Sequence, residues 1–186
     1  MMLHTRHDLA QWLNQRQRFV GAVEVGCHRG DFCGPFRRIW AGDVFHCVDS
    51  YITQDGREHF ADYAQLCRQM PTDGKSWQFH KLSSAEAALN FPAECLDFVY
   101  LDASHDYVNV AADLRAWFPS LRSGGMLAGH DFINGDWGRV VPAPTKEQVC
   151  DFIYGVKFAV EEFASEMGYE VSLIPDSIPS WYFIKR

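Results

Sequence analysis

A chain of 186 residues that is 47% hydrophobic, 22% charged and 15% aromatic carries enough apolar material for one sizeable core, which predicts a single self-folding domain. A net charge of -7 and an isoelectric point near 5.5 argue against a general electrostatic grip on nucleic acid, which needs clustered Lys and Arg, and favour a small-molecule substrate. No apolar stretch reaches the ~18 residues of a membrane span and the polar opening at residues 1–8 is unlike a signal peptide, so the expectation is a cytoplasmic protein with no membrane contact and an open oligomeric state.

In chain order, residues 5–17 place Leu9, Trp12 and Leu13 at helical spacing behind Thr5 and Asp8, a weak capping box, which predicts a short amphipathic helix over one sheet edge. The run at 19–25 is apolar and bounded by glycine, as a parallel strand buried on both faces would be. Within it Glu24 needs a partner, and a ligand amine or hydroxyl would supply one. Gly26 and Gly30 would let the following loop pass close to a ligand, with Cys27 and His28 between them. The six cysteines, at 27, 33, 47, 67, 95 and 150, include no C-x-x-C pair and are expected to be reduced and mostly buried.

The loop lacks the G-x-G-x-x-G spacing of dinucleotide sites, since His28 and Asp31 occupy the second and third glycine positions. Glu24-x-Gly26-x-x-x-Gly30 instead resembles the first motif of class I S-adenosylmethionine-dependent methyltransferases, with His28 at the usual middle glycine. A Gly-x-x-x-Gly turn after a strand is also common in α/β proteins at large. The resemblance implies that Glu24, Gly26, Cys27, His28 and Gly30 hold the cofactor.

Residues 32–40 read as a helix whose N-terminus faces that cofactor, with Pro35 tolerated in its first turn. A second strand at 44–49 ends in Asp49, about twenty residues past the loop, where an acid accepts the ribose hydroxyls common to S-adenosylmethionine and NAD. A helix at 56–70 with Phe60, Tyr63, Ala64 and Cys67 on one stripe should be stopped by a turn at 71–74, and 77–82 reads as an edge strand. Ser83 or Ser84 caps a short helix. By the same resemblance Ser84 stands beside the adenine.

The strand at 96–101 leads into Asp102 and His105, a helix to 121, a turn at 122–125, and a strand at 126–129 that ends in His130 and Asp131. Strand C-termini line one crevice in an open parallel sheet, so Glu24, Asp49, Asp102 and Asp131 should converge there. The segments DFVYLDASHDYVNVAADLRAWFPSLRSGGMLAGHDF at 97–132 and GVKFAVEEFASEMGYEV at 155–171 are similar to a class I methyltransferase branch that includes macrocin O-methyltransferase-like and cephalosporin-hydroxylase-like proteins. That branch implies S-adenosylmethionine as cofactor, Asp102, His130 and Asp131 around a divalent metal such as Mg²⁺ or Mn²⁺, and His105 as a base, with Asp102 also in the catalytic and cofactor sets. His130 departs from it, standing where the metal-dependent members carry glutamate.

Residues 133–145 have loop chemistry, with Trp137 and Arg139 as candidate substrate contacts or Trp137 tucked into the core. An amphipathic helix at 146–167 ends at Gly168, and 170–174 pairs with 180–184 as a terminal hairpin. The fold expected is a three-layer Rossmann-like α/β sandwich of about seven strands, mostly parallel with an antiparallel C-terminal strand, in one domain over 1–186 (helix 1–18, catalytic core 19–186). Its expected function is methyl transfer from S-adenosylmethionine to a small-molecule hydroxyl. A non-catalytic S-adenosylmethionine-binding or partner-binding module and an NAD-dependent oxidoreductase, which would share Asp49, are the alternatives.

Overall fold

The computed structural model describes residues 3–52, 56–70, 74 and 76–186. Its elements are α1 (Asp8–Gln15), β1 (Gly21–Val25), α2 (Cys33–Ile39), β2 (Val44–Val48), α3 (Phe60–Gln69), β3 (Ser76–His80), α4 (Ser84–Ala88), β4 (Leu96–Leu101), α5 (Tyr107–Trp117), β5 (Leu121–Gly129), β6 (Gly135–Asp136), β7 (Arg139–Val140), α6 (Lys146–Cys150), α7 (Val156–Met167), β8 (Ser172–Ile174) and β9 (Ser180–Ile184). Seven strands form one sheet in the order β3-β2-β1-β4-β5-β9-β8, and β9 runs antiparallel to both its neighbours. This is the Rossmann-like sheet expected, with β3 at the edge. No helix among the described residues is long and apolar enough to cross a membrane.

Alternation along the central strands divides the core between two layers of helix. Ala22, Phe98 and Tyr100 pack with Leu9, Leu13, Phe36 and Leu66 on the face of α1 to α3. Val23, Val25, Val99 and Leu101 pack with Leu114, Trp117, Val160 and Phe163 on the face of α5 and α7. Both strands are buried along their full length, as parallel strands covered on two sides must be. Of the cysteines, all free, Cys27, Cys33 and Cys47 are buried, whereas Cys67 and Cys150 are exposed.

Several boundaries differ from expectation for local reasons. The Asp8 carboxylate accepts the His4 and Thr5 N–H groups at 2.9 and 3.0 Å, so the acidic half of the capping box forms ahead of α1 and the helix starts only at Asp8. Pro119 lies in a 3-10 turn after α5, and β5 begins at Leu121. The pairing of β5 with β4 jumps from Leu96↔Leu121 to Phe98↔Met126, which takes up the expected turn at 122–125 as an irregularity inside the strand. The expected helix at 146–167 is two, α6 and α7, because the Gly155 N–H donates to the His105 carbonyl at 2.7 Å. The expected stop at 71–74 falls largely outside the described residues; α3 itself ends at Gln69.

Beside the Phe91 ring, His46 Nδ1 on β2 lies 3.0 Å from His80 Nε2 on β3. Burial, and then the His80 ring, push the His46 imidazole down to about 4 from its ordinary 6.5. The unfolded chain therefore binds a proton in that window that the folded chain refuses, so stability fully present above the upper limit drains away on acidification towards the lower one. Melting temperatures measured between about pH 7 and 4 should fall more steeply for the wild type than for His46→Gln; parallel declines would remove His46 from the acid response.

Candidate active site

The C-terminal ends of β1, β2 and β4, with the loops after β3 and β5, open onto one crevice of about 740 Å³. Glu24, Gly26, Cys27, His28, Asp49, Ser84, Asp102, His105, His130 and Asp131 all line it. Gly30 is the exception among the expected site residues. It packs away from the crevice, where a Cβ would stand 2.6 Å from Leu66 Cδ1, so it shapes the loop against α3.

Gly26 is required by close approach. With φ at +90°, an added Cβ would lie 2.2 Å from the Asp102 carbonyl oxygen and 2.5 Å from Ala103 Cα. The loop after β1 thus touches the loop after β4 backbone to backbone. His28, at the position where the resemblance expects glycine, adopts a left-handed φ of 43°, at a cost of about 1 kcal/mol. It is held there by its N–H, which donates to Asp49 Oδ2 at 2.9 Å. Asp49 Oδ1 accepts from Tyr51 N at 2.7 Å, so this acid also binds its own loop, and each oxygen retains a lone pair. The Cys27 thiol turns inward to the Glu24 and Val48 carbonyls at 3.2 and 3.6 Å. Only its backbone is left to meet a ligand.

Glu24 is 2% exposed and its Oε2 has no hydrogen-bond partner. Burial, reinforced by Cys33, raises its carboxyl well above the ordinary range. A buried carboxyl oxygen without a donor is costly until something brings one.

At the other end, one ligand atom each from Asp102, His105 and Asp131 lies within 4.8 Å of the others. The trio expected from sequence had His130 in place of His105. His130 is adjacent, but its Nδ1 turns to Asp131 Oδ1 at 3.1 Å and its carbonyl accepts from Trp181 Nε1 at 3.2 Å, so it braces Asp131. His105 Nε2 is 3.5 Å from Asp131 Oδ2, and its ring stacks on Tyr154 with centroids 5.4 Å apart. Burial raises the Asp102 carboxyl, partly opposed by the His130 charge and reinforced by Asp131. For Asp131 burial acts upward but is outweighed by the His130 hydrogen bond and the neighbouring positive charges, leaving it below its ordinary value. Asp131 also sits at a left-handed φ of 52°, a strained conformation of the kind found at functional sites.

Arg6 and Asp113 line the crevice without having been expected from sequence. Arg6, just ahead of α1, places Nη1 3.6 Å from Asp102 Oδ2; nothing in its local sequence announces that approach. Asp113 on α5 is 9% exposed and accepts the Ser84 hydroxyl at 2.5 Å, while Trp117 Nε1 donates to Ser84 Oγ at 2.9 Å. The helix cap is Ser83, in a reciprocal capping box with Glu86. Ser84 is therefore not the cap, and its hydroxyl proton is already committed. Trp137 and Arg139 belong to the β6–β7 hairpin and do not line the crevice; Trp137 is 76% exposed and meets Tyr154 edge to face.

A family model described as a methyltransferase domain matches residues 23–132. No curated protein matches the chain in sequence. Among solved structures, a protein from Corynebacterium glutamicum is similar with a TM-score of 0.69 at 17% identity, over 96% of this chain and 79% of that one. An O-methyltransferase from Bacillus cereus in complex with S-adenosylhomocysteine gives 0.67 at 16% identity, over 100% and 83%. An S-adenosylhomocysteine-bound methyltransferase from Podospora anserina gives 0.62 at 13% identity, over 96% and 76%. At these identities the likeness is one of fold.

Proposed function

The chain belongs to the methyltransferase-domain family, and from that premise we propose that it is a single-domain enzyme that moves the methyl group of S-adenosylmethionine to a hydroxyl of a small molecule. The observation that carries the reading is Glu24, a buried carboxyl with an unpartnered oxygen beside Gly26 in the crevice. The ammonium of the cofactor's methionine end supplies the donor that Glu24 Oε2 lacks, and its positive charge favours the ionised acid. Asp49, with a free lone pair on each oxygen, suits the ribose diol. Gly26, Cys27 and His28 pass beneath as backbone, and Gly30 holds their turn in shape.

In the transfer the S–CH₃ bond breaks, an O–CH₃ bond forms, and the acceptor's proton must leave. His105 is positioned to take it, and Asp131, 3.5 Å from its Nε2, stabilises the imidazolium that results. Arg6 and His130 keep the neighbouring acids oriented. The carboxylate and imidazole donors of Asp102, His105 and Asp131 fit a divalent cation such as Mn²⁺ or Mg²⁺, which when bound would acidify the acceptor hydroxyl. His105 serves as ligand or as base, and Mn²⁺ binding by His105→Ala, lost for a ligand and kept for a base, separates the two roles. Most of the remaining work is alignment of oxygen, methyl and sulfur.

Calorimetry with S-adenosylhomocysteine against NAD tests the cofactor, and release of S-adenosylhomocysteine during turnover with small phenols or sugars tests the reaction. Binding without turnover would leave a non-catalytic module. Asp49→Ala should weaken S-adenosylhomocysteine by about 1–3 kcal/mol, the scale of hydrogen bonds to a charged group; unchanged affinity would put the ribose elsewhere.

A further inference from the structure

We propose that Asp113, on α5, is the residue that reads the base of the cofactor, accepting a hydrogen bond from the exocyclic amine of adenine, with Ser84 as its positioning residue. The inference rests on the S-adenosylmethionine reading above. Asp113 lines the same crevice as Asp49, on the wall formed with Leu82, Ser83 and Ala112. The side chain is 9% exposed, so it is held among protein atoms, yet only one of its oxygens is used. Oδ1 takes the Ser84 proton at 2.5 Å, and Oδ2 receives no hydrogen bond from the described residues.

Ser84 is the residue that the sequence resemblance places beside the adenine, and its chemistry is spent. A hydroxyl has one proton and two lone pairs. The proton goes to Asp113, and one lone pair accepts Trp117 Nε1 at 2.9 Å. Trp117 is wholly buried, which anchors Ser84 and, through it, the rotamer of Asp113. The geometry is a fixed relay of indole N–H to hydroxyl to carboxylate, ending in one free acceptor at the crevice wall. The complement of such an acceptor is a neutral N–H₂ donor.

A base edge with an amine satisfies Oδ2, whereas a base with a carbonyl at the same position sets two acceptors against each other. An unpaired acceptor removed from water is expensive, so Asp113 should discriminate between the two bases as well as contribute affinity. Burial raises its carboxyl to about 6, with the Ser84 hydrogen bond opposing and Asp106 adding to the rise. At neutral pH the acceptor form therefore prevails.

The test is calorimetry at neutral pH with S-adenosylhomocysteine and S-inosylhomocysteine, which carries a carbonyl in place of the amine, on wild type and Asp113→Asn. Wild type should prefer the adenine compound by about tenfold or more. In Asp113→Asn that preference should collapse to near unity or reverse, because an amide can turn its N–H₂ to the carbonyl. A melting curve verifies folding, and Asp113→Ser, still polar towards Ser84, takes its place if the amide variant does not fold. An unchanged preference in a folded variant overturns the assignment while leaving the cofactor reading intact. Failure of wild type to bind either compound overturns the cofactor reading itself.

Discussion

His105→Ala should lower turnover by about 10²–10⁴-fold, the range expected on removal of a general base, with the melting temperature and the affinity for S-adenosylhomocysteine close to wild type. The ring is about two-thirds covered, its side chain being 32% exposed, and its contacts are to Asp131 and the Tyr154 ring, so its loss leaves the glycine loop untouched. Single-turnover methylation with saturating cofactor isolates the step. If chelator-treated wild type keeps its full rate, the loss in the variant is that of a base. If chelation alone reproduces the loss and His105→Ala also weakens Mn²⁺ binding, His105 acts with Asp102 and Asp131 as a ligand, and Asp131→Asn should then remove both metal dependence and activity while sparing the cofactor. Full activity of His105→Ala would take the acceptor's proton away from this histidine.

Gly26→Ala should abolish cofactor binding at concentrations about 100-fold above the wild-type dissociation constant, which corresponds to about 2.7 kcal/mol. The added Cβ would stand 2.2 Å from a carbonyl oxygen and 2.5 Å from a Cα of the β4 loop. Both are main-chain atoms with no rotamer to move, so one of the two crevice loops must shift. Gly138→Ala separates this clash from backbone strain, since it has a similar φ of +75° and nothing within 4 Å of its Cβ. That control should cost only about 1 kcal/mol of stability and retain binding. Normal affinity in Gly26→Ala would mean that the cofactor does not lie against this turn.

The acids at strand ends were legible because an open parallel sheet converts position in sequence into position in space, which is why Glu24, Asp49, Asp102 and Asp131 share a crevice. Orientation was not legible. Sequence places His130 beside Asp131 but does not say that its ring turns back to brace it, so that the trio whose ligand atoms come together is Asp102, His105 and Asp131. Arg6 and Asp113 carry no local signal of their place in the crevice, because their approach depends on how α1 and α5 pack. Gly155 interrupts a pattern that stays amphipathic through 146–167, because a Cβ there would lie 2.6 Å from the Tyr107 backbone nitrogen, a contact made from α5.

The β6–β7 hairpin has a clamped base and a loose tip. Gly135 and Tyr154 exchange hydrogen bonds at 2.8 and 2.9 Å, and Gly155, next along, ties to the His105 carbonyl. The tip, at Trp137 and Gly138, extends beyond that clamp into open space. At the tip the two residues differ: Gly138 has open space around it, whereas Trp137 leans on the Tyr154 ring that in turn stacks on His105. In evolutionary terms only Gly138 is free to drift, while Trp137 is bound to the fate of the histidine through one shared ring.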